Sequence, residues 1–373
     1  TIENKVAEAK LLNSVLKDKE DTNDINFQKL FEYTLIENKE NKNFDSIKST
    51  QSKDLIFLYS AMLRINELAL NEEFINVDSI NLSRPVILSE STPMHIRIKA
   101  VNKSFNDDLI SIDILSALYQ SVDFNSQQFN QPEKTIKSLN KNNELIMAFY
   151  FQLANRQIFP EDRLKIVMEY WQFAKNIGLE QIAYSVTKNI IESFTPSSDN
   201  TKYSMQIALA HISNKNYVEA SKWLSLSDDI ETNTSQKEYA KFLIALYEDD
   251  DLSTIINFLE IINKNLDSKI NNKNLETIDV LNKFLDIETS QISKFNYENI
   301  SDERVMPSYF LIRDIQQNIT DQNSFTLFLL SIISMDNKDW NELHPEHLNL
   351  ILEAYSIYDE GSLIKPIILE ILN

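Results

Sequence analysis

The sequence predicts an all-α superhelix of antiparallel helix pairs with no β-sheet. Three observations lead there. Apolar residues recur at spacings of three and four along nearly all of the 373 residues, the signature of helices that bury one face. The segments so marked run about 10–18 residues between short connectors, the pattern of stacked helix hairpins. No stretch alternates apolar and polar residues between turn glycines, as strands would.

Taken in order, Ile2, Val6, Ala9, Leu12 and Leu16 make one apolar face. A second segment spans Asp24 to Asn38, with Phe27, Leu30, Phe31 and Leu35 on one side. Residues 39–51 are polar and read as a loop, and Asp54 opens an apolar helix to Leu70. Residues 71–91 have the weakest period and contain Pro85, so they read as an extended connection. Thr92-Pro93 reads as an N-cap with proline at the first helical position. Asn106-Asp107-Asp108 reads as the cap of a helix whose Leu109, Ile112, Leu115, Ala117 and Leu118 face inward. Asn143 precedes a helix over 145–153. Pro160-Glu161-Asp162 starts another that ends at Gly178, and a further one follows to Phe194. After the break Thr195-Pro196-Ser197-Ser198, helices are expected over 202–213, 217–226, 235–247, 253–262 and 275–292. The last third continues with helical segments from Pro307 through Leu330, Pro345 to Tyr358 and Ser362 to Leu372.

The two glycines of the chain, Gly178 and Gly361, each stand between a helix that ends and one that begins. A left-handed helix cap needs positive φ, which glycine adopts at no steric cost. Their surroundings also correspond. The apolar run Glu144–Tyr150 lines up with Ser324–Leu330, and Phe159-Pro160-Glu161 lines up with His344-Pro345-Glu346. A block of roughly 50 residues thus occurs twice, as an internal repeat would.

Composition excludes much chemistry. Without cysteine there is no thiol nucleophile, thiolate metal site or disulfide. Two isolated glycines exclude a Walker loop, a dinucleotide fingerprint and a nucleophile elbow. The 56 acidic and 36 basic residues leave a net charge of -20, which disfavours nucleic acid and anionic membranes as partners. No apolar run approaches the ~20 residues of a membrane helix.

Few residues invite a chemical role. His344 and His347 sit three apart, a spacing that can share a metal face, but Pro345 places His344 at a cap and no cysteine completes a site. His95 and His211 stand alone on helical segments. The acidic run Glu248-Asp249-Asp250-Asp251 lacks the glycine and alternate oxygens of a calcium loop and reads as a turn. Asp107-Asp108 and Asp228-Asp229 read the same way. Trp171, Trp223 and Trp340 are expected in hairpin packing. Phe149, Tyr150, Phe151, Tyr170 and Phe173 are expected between helices, with a concave groove as the other possibility. No catalytic, cofactor-binding or metal residue is therefore assigned.

One hairpin resembles the tetratricopeptide repeat. Ala208-Leu209-Ala210-His211 is followed by Asn214, where glycine is usual, then Tyr217-Val218-Glu219-Ala220 and Trp223-Leu224. The resemblance covers about one 34-residue repeat. The rest of the chain is TPR-like only in its general α-solenoid pattern, and the duplicated glycine hairpin also looks like a group of alphaproteobacterial helical proteins. The resemblance implies a right-handed superhelix of hairpins and an interaction scaffold, with no ligand residues to carry over. The organisation expected is a helical segment over 1–91, hairpins over 92–195, and TPR-like hairpins over 196–373 continuous with them. The function expected is non-enzymatic binding of a protein or peptide on a concave acidic surface, with a basic partner the better match in charge. The alternatives are a glycan-processing α/α-type hydrolase or transglycosylase using carboxylates, and a structural component of an envelope or multiprotein assembly. The absence of cysteine and the opening Thr1 lean towards an exported, bacterial periplasmic chain.

Overall fold

A computed structural model describes residues 5–17, 25–35, 53–139, 142–229, 234–248, 306–336, 338–357 and 363–372, with two isolated positions at 280 and 304. Every regular element among the described residues is helical, and none is a strand. The chain divides into two compact units between Phe194 and Thr195. The helix expected over 253–262, that expected over 275–292 apart from position 280, and Gly361 lie outside the described residues.

The first unit contains α1 (Val6–Lys17), α2 (Ile25–Thr34), α3 (Lys53–Ile65), α4 (Glu73–Val77), α5 (Ser79–Leu88), α6 (Met94–Asn106) and α7 (Ile112–Gln120). They are followed by α8 (Ser126–Asn130), α9 (Pro132–Ser138), α10 (Asn143–Arg156), α11 (Pro160–Asn176), α12 (Glu180–Val186) and α13 (Lys188–Ile191). Its centre is α10, which packs on α6, α7 and α11. Nine consecutive residues of α10, Ile146–Ala154, are buried, as expected of a helix that is apolar on every side.

The structure corrects three local readings. Residues 71–91 are not one extended connection but hold two helices, Glu73–Val77 and Ser79–Leu88, and Pro85 lies inside the second. Leu82, Val86 and Ile87 keep a helical period and are buried, and α5 packs along α6. Tertiary burial outweighs the hydrogen bond that proline removes. Thr92 does not cap α6. Its Oγ1 accepts from the Leu70 amide at 3.0 Å, and Pro93 stands one position before the helix. Asp107 and Asp108 end α6 instead of starting α7, because Asp108 takes φ 53°. Leu109 then donates to the Ser104 carbonyl at 2.8 Å, and Ser111 precedes α7.

Gly178 is the left-handed cap the sequence indicates, with φ 73°. Leu179 donates to Ala174 at 2.9 Å and Gly178 to Lys175 at 3.2 Å, the paired bonds of a Schellman end. The same pair closes α3 at Glu67 (φ 55°) and α6 at Asp108. A chain so poor in glycine makes its helix ends with residues that carry the left-handed strain. Space around Gly178 is open to a Cβ, so any cost of substitution there comes from the backbone. Gly178→Val should lower stability by about 1 kcal/mol or more. Glu67→Gly should raise it by up to about 1 kcal/mol, since it relieves φ and removes a carboxylate from a helix C-terminus. Urea melts of both variants check the opposite signs. Equal midpoints would mean that neither residue is held left-handed.

The second unit opens with a 3-10 turn, Ser198–Tyr203, and continues through α14 (Ser204–Ser213), α15 (Tyr217–Ser225) and α16 (Thr234–Glu248). After the undescribed residues come α17 (Tyr309–Asp321), α18 (Ser324–Met335), α19 (Pro345–Ile357) and α20 (Ile364–Leu372). The segment expected from Pro307 through Leu330 is two helices, broken where Gln322 takes φ 53°. Helices α14, α15 and α16 pack on one another, α16 packs on α20, and α17, α18 and α19 form a mutual trio.

Candidate interaction surface

The hairpin expected from its likeness to the tetratricopeptide repeat falls on α14 and α15. Ala208, Ala210, Ala220 and Trp223 are fully buried, with Tyr217 and Leu224 nearly so. Small residues on one helix let the bulky ones of the next approach closely. The left-handed turn residue is Lys215, at φ 59°, not Asn214. Asn214 remains right-handed, and its Nδ2 donates to the Ala210 carbonyl at 2.8 Å. The Asn216 side chain caps α15 by accepting from the Glu219 amide. Lys215 also lies 3.7 Å from Glu370 of α20, an exposed pair of small energetic weight.

His347 is fully buried, and its Nε2 lies 2.8 Å from Ser334 Oγ, which joins α19 to α18. His344 accepts at Nδ1 from the Glu346 amide and stands just before α19 begins. His211 is buried within α14, and His95 is half-buried on α6. Among the described residues no three His, Asp or Glu side chains gather as a metal site. Of the acidic run, Glu248 ends α16 and Asp249–Asp251 lie outside the described residues. Asp228 and Asp229 close a 3-10 turn.

Phe149, Tyr150, Phe151 and Tyr170 of the first unit are buried in its core, and Phe173 is half-buried. Tyr150 stacks on Tyr170 at 5.7 Å, and Phe149 meets Phe124 and Phe129 within 5.4 Å. Tyr119 donates to Asn102 Oδ1 at 2.8 Å, and Gln152 reaches the carbonyls of Tyr119, Gln120 and Val122 at the end of α7. The buried Gln152 amide satisfies a helix end, and Asn102 holds the Tyr119 hydroxyl. Burial raises the hydroxyls of Tyr119, Tyr170 and Tyr184 well above the usual tyrosine value. A pocket of about 190 Å³ between Asn106 and the turn at Gly178 is smaller than the roughly 300–1,000 Å³ of small-molecule sites.

The sequence reading did not single out the outward face of α18. Leu327, Ser331 and Ser334 face inward, while Phe325, Phe328, Leu329, Ile332 and Ile333 remain 40–70% exposed. The signal was present as fourteen consecutive residues, Gln322–Met335, with no charged side chain. Such a run looks like a core helix until its surroundings are known. Phe328 lies 6.1 Å from Tyr355 of α19, at the edge of the face. None of the described helices is long and apolar enough to cross a membrane.

Comparison with protein-family models, with curated proteins and with solved structures finds no match to this chain.

Proposed function

We propose that the chain is a non-enzymatic helical-repeat scaffold that binds a protein or peptide partner. The observation that carries this reading is the hairpin stack of the second unit. The helices α14, α15 and α16 each pack on the other two, with the small and aromatic residues of a TPR-like hairpin at the contacts. In such stacks each hairpin buries one side on its neighbours and leaves the other for ligands. The right-handed superhelix, the continuity of its hairpins and the duplicated block belong to this proposal. The charge of -20 favours a basic segment and opposes phosphate-rich partners.

The test follows association of a Lys/Arg-rich peptide with the purified chain across ionic strength. The on-rate should fall between 0.1 and 1 M salt, as the Debye length shrinks from about 10 to about 3 Å. A rate that does not change removes the electrostatic part of the proposal. Hydrolysis of a glycan by the purified chain would replace it with the α/α-type hydrolase.

A further inference from the structure

We infer that the outward face of α18 is an isologous contact between two copies of this chain. A helix that is apolar all round belongs in an interior. Helix α10 obeys that rule, with its neighbours covering every side. Helix α18 has the same character, yet α17 and α19 cover its inner side and its outer side faces solvent.

The area fits a dimer. At roughly 150–250 Å² for an aromatic side chain and somewhat less for Leu and Ile, the five exposed residues leave on the order of 500 Å² of apolar surface. A standard interface buries about 800 Å² on each partner, and homodimer contacts are about 65% apolar. The face therefore supplies about the apolar share that one side of such a contact needs.

The pattern fits a two-fold axis. Phe325 and Ile333 are the most exposed of the five, and Leu329 lies midway between them, with the ends about 12 Å apart. If two α18 helices cross antiparallel at Leu329, Phe325 of one copy meets the partner's Ile333, and Ile333 meets the partner's Phe325. A self-complementary patch must satisfy this reciprocity. Charge is compatible with the same occupant. Two chains of -20 repel wherever their acidic surfaces meet, and Gln322–Met335 is the longest stretch with no charged residue. A seam along it sets no like charges opposite each other.

Sedimentation of the full chain tests this. The expected species has twice the 43.4 kDa chain mass, and the dimer should tighten as salt screens the repulsion between copies. That trend is opposite to the one expected for a basic peptide, so the two proposals fail separately. Leu329→Lys sets two ammonium groups against each other on the axis and should raise the dissociation constant at least about 100-fold. Its circular dichroism should match the parent, because Leu329 is exposed in the single chain. Leu329→Cys, the lone thiol in a chain without native cysteine, should cross-link to its mate under mild oxidation. A single-chain mass at about 0.1 mM, a hundredfold above a micromolar dissociation constant, overturns the inference. So does a dimer that survives Leu329→Lys and resists cross-linking through Leu329→Cys, since its contact then lies elsewhere.

Discussion

Trp171→Ala should cost the chain about 3–5 kcal/mol, as truncation of a large buried aromatic does. Trp171 lies on α11, nearly fully buried, edge-on to Tyr184 of α12 at 4.8 Å. Its Nε1 donates to Thr187 Oγ1 at 2.9 Å. Thr187 stands at the break between α12 and α13, and its hydroxyl donates to the Ala183 carbonyl at 2.7 Å. One indole therefore fills the space between α11 and α12 and holds the residue where the second helix is interrupted. Trp171→Phe keeps most of the volume and loses the hydrogen bond, so it should cost about 1–2 kcal/mol. Urea denaturation followed by circular dichroism separates the two contributions. If Trp171→Phe costs as much as Trp171→Ala, the hydrogen bond holds the junction and packing does not.

The second large effect is alkaline unfolding. Tyr119, Tyr170 and Tyr184 have hydroxyls raised above the ordinary value of 10.0, first by burial. The carboxylate of Glu180, which accepts from the Tyr184 hydroxyl at 2.6 Å, raises Tyr184 further. In the second unit, burial pushes Tyr239 up to about 12. The folded state holds these protons more tightly than the unfolded chain. Their stabilisation is complete below pH 10 and is lost as pH rises from there through the folded values. Each group removes up to about 1.4 kcal/mol per pH unit in that window. Three in the first unit together remove about 4 kcal/mol per pH unit, against a typical domain stability of about 5–15 kcal/mol. The chain should unfold cooperatively above about pH 11, with tyrosinate absorbance rising in step with the loss of helical signal. A smooth titration centred near pH 10 in a chain that stays helical would show these hydroxyls to be accessible. Tyr119→Phe and Tyr184→Phe should shift the transition to higher pH.

The helical class of the fold was legible in the sequence because it is a local property. The three-and-four spacing of apolar residues is written into each segment, and Gly178 and Pro160 mark the ends of α11 by their own backbone geometry. Where side chains or neighbours compete for the same backbone, local signals were insufficient. Pro85 suggested a break, but burial of Leu82 and Val86 against α6 keeps α5 helical. Thr92 had the chemistry of a cap, but its hydroxyl is taken by the distant Leu70 amide. The left-handed ends at Glu67, Asp108 and Lys215 could not be read, because such residues reveal their strain only when the helix before them must stop. The clearest case is the pair α10 and α18, apolar runs that look alike in sequence. The same kind of run becomes core in one unit and surface in the other, because burial depends on which helices the chain brings alongside. That is a property of long-range packing, which residue spacing along one helix does not carry.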